Sequence, residues 1–223
     1  MNNNKNLFIT NLLLTILLIN NANSLKSNSL KLEFREKNHF FTIPITVGSM
    51  QQSFEVQADT TTCETWIPSI NTTYDIDKFD PKTSSTCQLS KLEFEIDDED
   101  GNVKGPSFYD SLKVGPFTLN KFGMVLVDNF QRGFKDFKQG KLGLGFRHEH
   151  GVDFNWLGSL KQNGFIEKEM FTILPDEEKL VIGSLPKELE GKQYTTCDLV
   201  ETNDLADVFR ARWICLLTSY FLG

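Results

Sequence analysis

Basic residues are in the minority, with 23 Lys and Arg against 30 Asp and Glu, a formal net charge of -7. Nucleic-acid binding requires a basic face to meet phosphates, so this balance excludes that class of partner. Histidine is scarcer still: His39, His148 and His150 are the whole set. None sits in an HExxH element, and His148-Glu149-His150 reads as a polar loop rather than a metal site. Gly140-Lys141 is followed by Leu142, which rules out a phosphate loop, and Gly140, Gly143 and Gly145 are not spaced as a dinucleotide fingerprint. No serine stands in a G-x-S-x-G setting. The expectation is a protein with no cofactor and no metal. Long apolar runs are absent beyond the first twenty residues, so no membrane span is expected in the mature chain.

The N-terminus carries Lys5, an apolar stretch from Leu7 to Ile19, and then Ala22-Asn23-Ser24, with small residues where a signal peptidase reads. This is the layout of a cleavable secretory signal over residues 1–24. It leaves 25–223 as one mature domain, secreted or held in an acidic lumen of lysosomal or vacuolar type. Four cysteines, Cys63, Cys87, Cys197 and Cys215, form an even set without a CxxC element. In an exported chain such a set favours disulfides. Three connectivities are possible, and pairing of neighbours, Cys63 with Cys87 and Cys197 with Cys215, closes the shortest loops. Asn71-Thr72-Thr73 is the one N-x-S/T sequon, in a polar stretch expected to be exposed and open to glycosylation.

Period-two alternation dominates the mature sequence. It runs through Phe40 to Gly48, resumes from Gln52 to Ala58 after a Gly48-Ser49-Met50 turn, and returns at Leu92 to Ile96. Tyr109 to Val114 and Met124 to Val127 supply further strands, and Asp100-Gly101 a tight turn. Helical periodicity is confined to Phe154 to Asn163 and Leu205 to Arg212. The fold class expected is all-β with one or two short helices.

Several segments carry a family likeness. Phe54-Glu55-Val56-Gln57-Ala58-Asp59-Thr60-Thr61-Thr62 followed by Trp66-Ile67-Pro68-Ser69 resembles the active-site strand of the pepsin family of aspartic peptidases. Ile43 to Gly48 with Gln52-Ser53-Phe54 is similar to that family's opening hairpin, and Phe79-Asp80-Pro81 with Ser84-Ser85-Thr86 to a second motif. Tyr109-Asp110-Ser111-Leu112-Lys113-Val114-Gly115 and Gly140-Lys141-Leu142-Gly143-Leu144-Gly145-Phe146 resemble two more; Phe171-Thr172-Ile173 and Leu180 to Gly183 match later strands. The order is the family's throughout.

The resemblance implies a single N-terminal lobe of the pepsin-like fold. Leu142-Gly143 should thread beside Asp59, with Trp66 packed beneath. It also implies an endopeptidase acting on proteins at acidic pH, with Asp59 as catalytic carboxylate, supported by Thr60, which braces the loop, and Thr62, whose hydroxyl reaches the carboxylate. Such enzymes hold two carboxylates close enough to share one proton.

Four departures stand against activity. Thr61 replaces the loop glycine, where a β-branched side chain is ill suited to unusual backbone angles. Asp98 stands where the substrate-covering hairpin carries a tyrosine, within Asp97-Asp98-Glu99-Asp100. That run reads as a solvated turn, since a calcium loop would need acids in place of Ile96 and Ser107. Lys141 replaces an aliphatic residue, bringing an amine to a buried strand. Finally, the sequence reaches Gly223 without a second Asp-Thr-Gly or Asp-Ser-Gly loop, so the reading is of a lobe inactive alone. The alternative is a secreted non-catalytic protein that binds a peptide or protein partner, in the half-cleft or on the exposed interlobe face. A further alternative is a homodimer sharing Asp59 from both copies.

Overall fold

The computed structural model describes residues 29–35, 40–98, 101–131, 140–145 and 151–191. The expected signal segment, His148 to His150, Glu99, Asp100, Cys197, Cys215 and the expected helix Leu205 to Arg212 lie outside these residues, as do the side chains of Asp97 and Asp98.

Where apolar and polar residues alternate, the chain extends and one face turns inward. β3 (Phe40–Val47) buries Ile43, Ile45 and Val47, and β4 (Gln52–Asp59) buries Phe54 and Val56. The two form an antiparallel hairpin, in register from Thr42 opposite Gln57 to Val47 opposite Gln52. Two long strands, β6 (Gln88–Asp98) and β7 (Gly101–Val114), make a second hairpin, which β8 (Phe117–Val127) extends. Short pieces complete the sheet: β2 (Glu33–Arg35), β5 (Trp66–Pro68), β9 (Asn129–Gln131) and β10 (Lys141–Gly143).

The order in this nine-stranded sheet is β2-β3-β4-β10-β5-β8-β7-β6, with β9 on β7. β3 also pairs with the end of β7, Ile45 opposite Val114, so the path from β3 round to β7 closes on itself. Inside this closed path lies the main core, including Phe54, Phe79, Phe108, Phe122 and Leu142. Helix α1 (Trp156–Gln162) plugs one side with Trp156, Leu157 and Leu160. Its Asn155 cap accepts a hydrogen bond from the Gly158 N–H at 2.7 Å and donates to the Gly145 carbonyl at 2.9 Å, tying the helix to the exit of β10.

A smaller sheet of β1 (Ser29–Lys31), β12 (Lys179–Ile182) and β11 (Phe171–Leu174), in that order, packs Leu30, Leu180 and Ile182 onto the same core. A second cluster lies under the β6–β7 hairpin, where Phe94, Ile96 and Val103 meet Trp66, Phe130 and Phe154. β9 holds this hairpin near its turn, pairing Asn102 to Lys104 with Gln131 to Asn129. The structure is the all-β single lobe of the pepsin-like fold that the sequence predicts.

The expected Cys63–Cys87 bridge is not formed; both side chains are thiols. Cys87 sits by the Gly48 turn, where its N–H donates to the Ser84 carbonyl at 3.3 Å and the Ser84 Oγ accepts from the Ser49 N–H at 2.9 Å. Cys63 lies beyond the opposite end of β4, buried, its Sγ 3.0 Å from Glu64 Oε1. β4 is eight residues long, and at about 3.3 Å per residue its ends stand about 23 Å apart. A disulfide needs Cα atoms within about 7 Å. Proximity in sequence was a poor guide because a whole strand intervenes.

Candidate active site

Asp59 is the last residue of β4 and is 3% exposed. Strand parity puts Phe54, Val56 and Ala58 toward the core and Gln57 and Asp59 on the other face. β10 runs parallel to β4 with Lys141 opposite Gln57, Leu142 opposite Ala58 and Gly143 opposite Asp59. The threading of Leu142-Gly143 beside Asp59 is therefore as the sequence predicts, and Trp66, fully buried, pairs with Lys141 from the other side of β10. Gly143 is required there: a Cβ would lie 2.4 Å from the Cys63 carbonyl carbon and 2.5 Å from its oxygen. Its N–H donates to Thr65 Oγ1 at 3.3 Å, while the Leu144 N–H donates to the Asp59 carbonyl at 2.7 Å. These bonds lace β10 to the loop after Asp59.

The same parity that brings Gly143 beside Asp59 puts Lys141 on Asp59's face of the sheet. Lys141 Nζ lies 2.7 Å from Asp59 Oδ2, with both side chains almost wholly buried, at 2% and 3% exposure. The approach is ionic rather than a well-aligned hydrogen bond. The second oxygen, Oδ1, accepts from the Thr61 N–H at 2.7 Å and from Thr61 Oγ1 at 2.6 Å. An ammonium thus meets one carboxylate oxygen and two neutral donors meet the other.

Two expectations about the loop are corrected. Thr61 does not strain it: the residue is outside the positive-φ region, so a β-branched side chain fits, and its hydroxyl turns back onto the carboxylate. Thr62 does not support Asp59. One position further on, its buried hydroxyl reaches the Glu64 carbonyl at 3.4 Å. Thr60 is half-buried at the exit of the strand. The residue that sequence reasoning left unassigned is Lys141, noted as a buried amine but without its partner. The signal was present, since a lysine two residues before the glycine that faces Asp59 must share Asp59's face.

Among the described residues no three His, Cys, Asp or Glu side chains gather as a metal site would. No described helix is long and apolar enough to cross a membrane.

Comparison with known proteins agrees with this architecture. The profile of the eukaryotic aspartyl protease family matches residues 40–202. Mucorpepsin of Rhizomucor miehei is 24% identical over 183 residues, 72% of this chain and 43% of that protein. Secreted aspartic protease 1 of Candida albicans (strain SC5314) is 24% identical over 176 residues, covering 72% and 44% of the two chains. Gastricsin of Cavia porcellus is 26% identical over 161 residues, covering 65% and 40%. The chain spans less than half the length of these curated relatives. With its sheet order, the β10 strand beside Asp59 and most of its length matched by the family profile, the chain belongs to the eukaryotic aspartyl protease family.

Proposed function

We propose that this lobe is a non-hydrolytic member of its family, one that binds an extended peptide or protein segment without cutting it. The observation that carries the reading is the buried Lys141–Asp59 ion pair, at 2.7 Å. Aspartic peptidase chemistry uses a carboxylate that shares a proton with a second carboxyl group and hands protons to and from water and the scissile amide. Here Oδ2 faces an ammonium and Oδ1 is held by both donors of Thr61. A second carboxyl group approaching Asp59 would have to displace a cation whose own charge would then be buried without its partner. Such a separation is costly, about 3–5 kcal/mol when one member of a buried pair is removed. Binding is a less demanding role: the closed sheet and the hairpin over the second cluster supply a fixed wall without help from Asp59.

The test is an assay of the full chain on an unfolded protein substrate at acidic pH, beside Asp59→Ala and Lys141→Leu. The expected result is no turnover by the natural sequence above the Asp59→Ala background, together with retained binding of unfolded polypeptide by both. Turnover that the Asp59→Ala change abolishes would overturn the reading and restore Asp59 to a catalytic role.

A further inference from the structure

Asn71 belongs to no part of the site described above, yet its surroundings are unusually definite. It lies in the turn after β5, where the Thr72 N–H donates to the Ser69 carbonyl at 3.1 Å and the Asn71 N–H donates to Ser69 Oγ at 3.1 Å. Lys78 Nζ closes the same loop, donating to the Thr72 carbonyl at 2.8 Å. These bonds fix the backbone so that Thr72 is buried while Asn71 and Thr73 are both exposed. The Asn71 amide makes one exposed contact, from Nδ2 to Asp128 Oδ1 at 3.2 Å, which water can replace at little cost. On either side stand Ile70 and Tyr74, apolar residues 50% and 46% exposed.

We infer that Asn71 is an N-glycosylation site whose glycan stands on the folded surface and covers Ile70 and Tyr74. Three requirements meet here. Asn71-Thr72-Thr73 is the one acceptor triplet in the chain. Asn71 and Thr73 are both exposed, and the Asn71 amide contact to Asp128 is itself at the surface, so a sugar added before folding need not be buried when the β-sheet closes. Ile70 and the Tyr74 ring, which stands edge-to-face against Phe130, leave partly exposed apolar surface for a sugar to cover, which gives the modification a consequence for solubility. In the transfer, the Asn71 side-chain nitrogen forms a bond to the anomeric carbon of a lipid-linked oligosaccharide. The bond from that carbon to the lipid pyrophosphate breaks, and the amide proton leaves with the released pyrophosphate. The reaction requires entry to the secretory pathway, as the apolar N-terminal segment leads one to expect.

The full chain, with its own N-terminus, should be made in a eukaryotic secretory host and the peptide containing residue 71 mapped by mass spectrometry. Treatment with a peptide N-glycosidase in heavy-oxygen water is expected to release one glycan and leave a heavy-labelled aspartate at that position. Asn71→Gln and Thr73→Ala should each abolish the modification, and Thr73→Ser should retain it. An unmodified Asn71 peptide overturns the inference, whether the chain is recovered from the medium or from inside the cell. So does a glycan that persists in Thr73→Ala.

Discussion

Two aspartates are buried in the large sheet, and they are kept there by different means. Asp59, 3% exposed, has an ammonium on one oxygen and the two donors of Thr61 on the other. Asp110, in β7, is fully buried on the core-facing side between Phe108 and Leu112. Its Oδ1 accepts from Thr86 Oγ1 and from the Ser111 N–H at 2.8 Å. Among the described residues it has no ion pair, and Oδ2 makes no hydrogen bond. Asp110 ties the Ser84 to Thr86 turn to β7 beside Gly48, where a Cβ would meet Ser84 Oγ at 2.8 Å and Asp110 Oδ2 at 3.2 Å. The contrast shows that burial alone does not call for a cation: neutral donors carry Asp110. The cation at Asp59 is thus a particular feature of that position, set by the register of β10 on β4.

The sharpest way to break this comparison is to remove the cation. Lys141→Ala leaves Asp59 buried without its counter-charge and should cost about 3–5 kcal/mol of unfolding free energy, read from chemical denaturation. A double variant with Asp59→Asn and Lys141→Met should recover most of that loss, because an apolar or neutral replacement of a whole buried pair is often close to neutral. If the single change costs no more than an exposed ion pair, at about 0–1 kcal/mol, the pair is not structural. The inference that Asp59 is tied down then weakens with it. At Asp110 the expected effect is smaller. Thr86→Val removes one charge-assisted hydrogen bond, worth about 1.5–3 kcal/mol, and should leave the geometry around Asp59 unchanged. Denaturation of the two variants under identical conditions ranks the two carboxylates directly.

How much of this was legible beforehand depended on the length of the pattern. β3 and β4 announce themselves by alternation over nearly their whole length, β6 and β7 only through the segments Leu92 to Ile96 and Tyr109 to Val114, and the helix within Phe154 to Asn163 by its periodicity. β5 and β9 have only three residues each and could not; Pro68 also argues against a strand. Asp59 and the run through Gly143 were readable as motifs. The Lys141–Asp59 pair was not, because the two residues are 82 apart in sequence and meet only through the parallel register of β10 on β4. The loop was misread by a single position: Thr62 was expected to hold the carboxylate, and Thr61 does. The chain bends directly after β4, and Asp59 Oδ1 accepts from the backbone N–H two residues on, which brings the Thr61 hydroxyl rather than that of Thr62 to the carboxylate.

Cys87 provides an internal probe of the Asp110 side of the comparison. Burial first, and the charge of Asp110 second, push its thiol from 9.0 up to about 11. Both favour the neutral form, so the folded chain keeps a proton at Cys87 that the unfolded chain gives up near its ordinary value. Between pH 9 and 11 the folded state is the one with more protons bound, and its stability must fall as pH rises through that window. The thiolate is the reactive species, so alkylation of Cys87 by iodoacetamide should be slow at neutral pH and accelerate only as pH approaches 11. Asp110→Asn removes the charge but leaves the burial, and should move the alkylation profile part of the way back toward 9.0. An unmoved profile would mean that Asp110 carries no charge felt at Cys87, and the contrast between a carboxylate held by a cation and one held by neutral donors would fail. A profile shifted all the way back would assign the whole effect to Asp110 and none to burial.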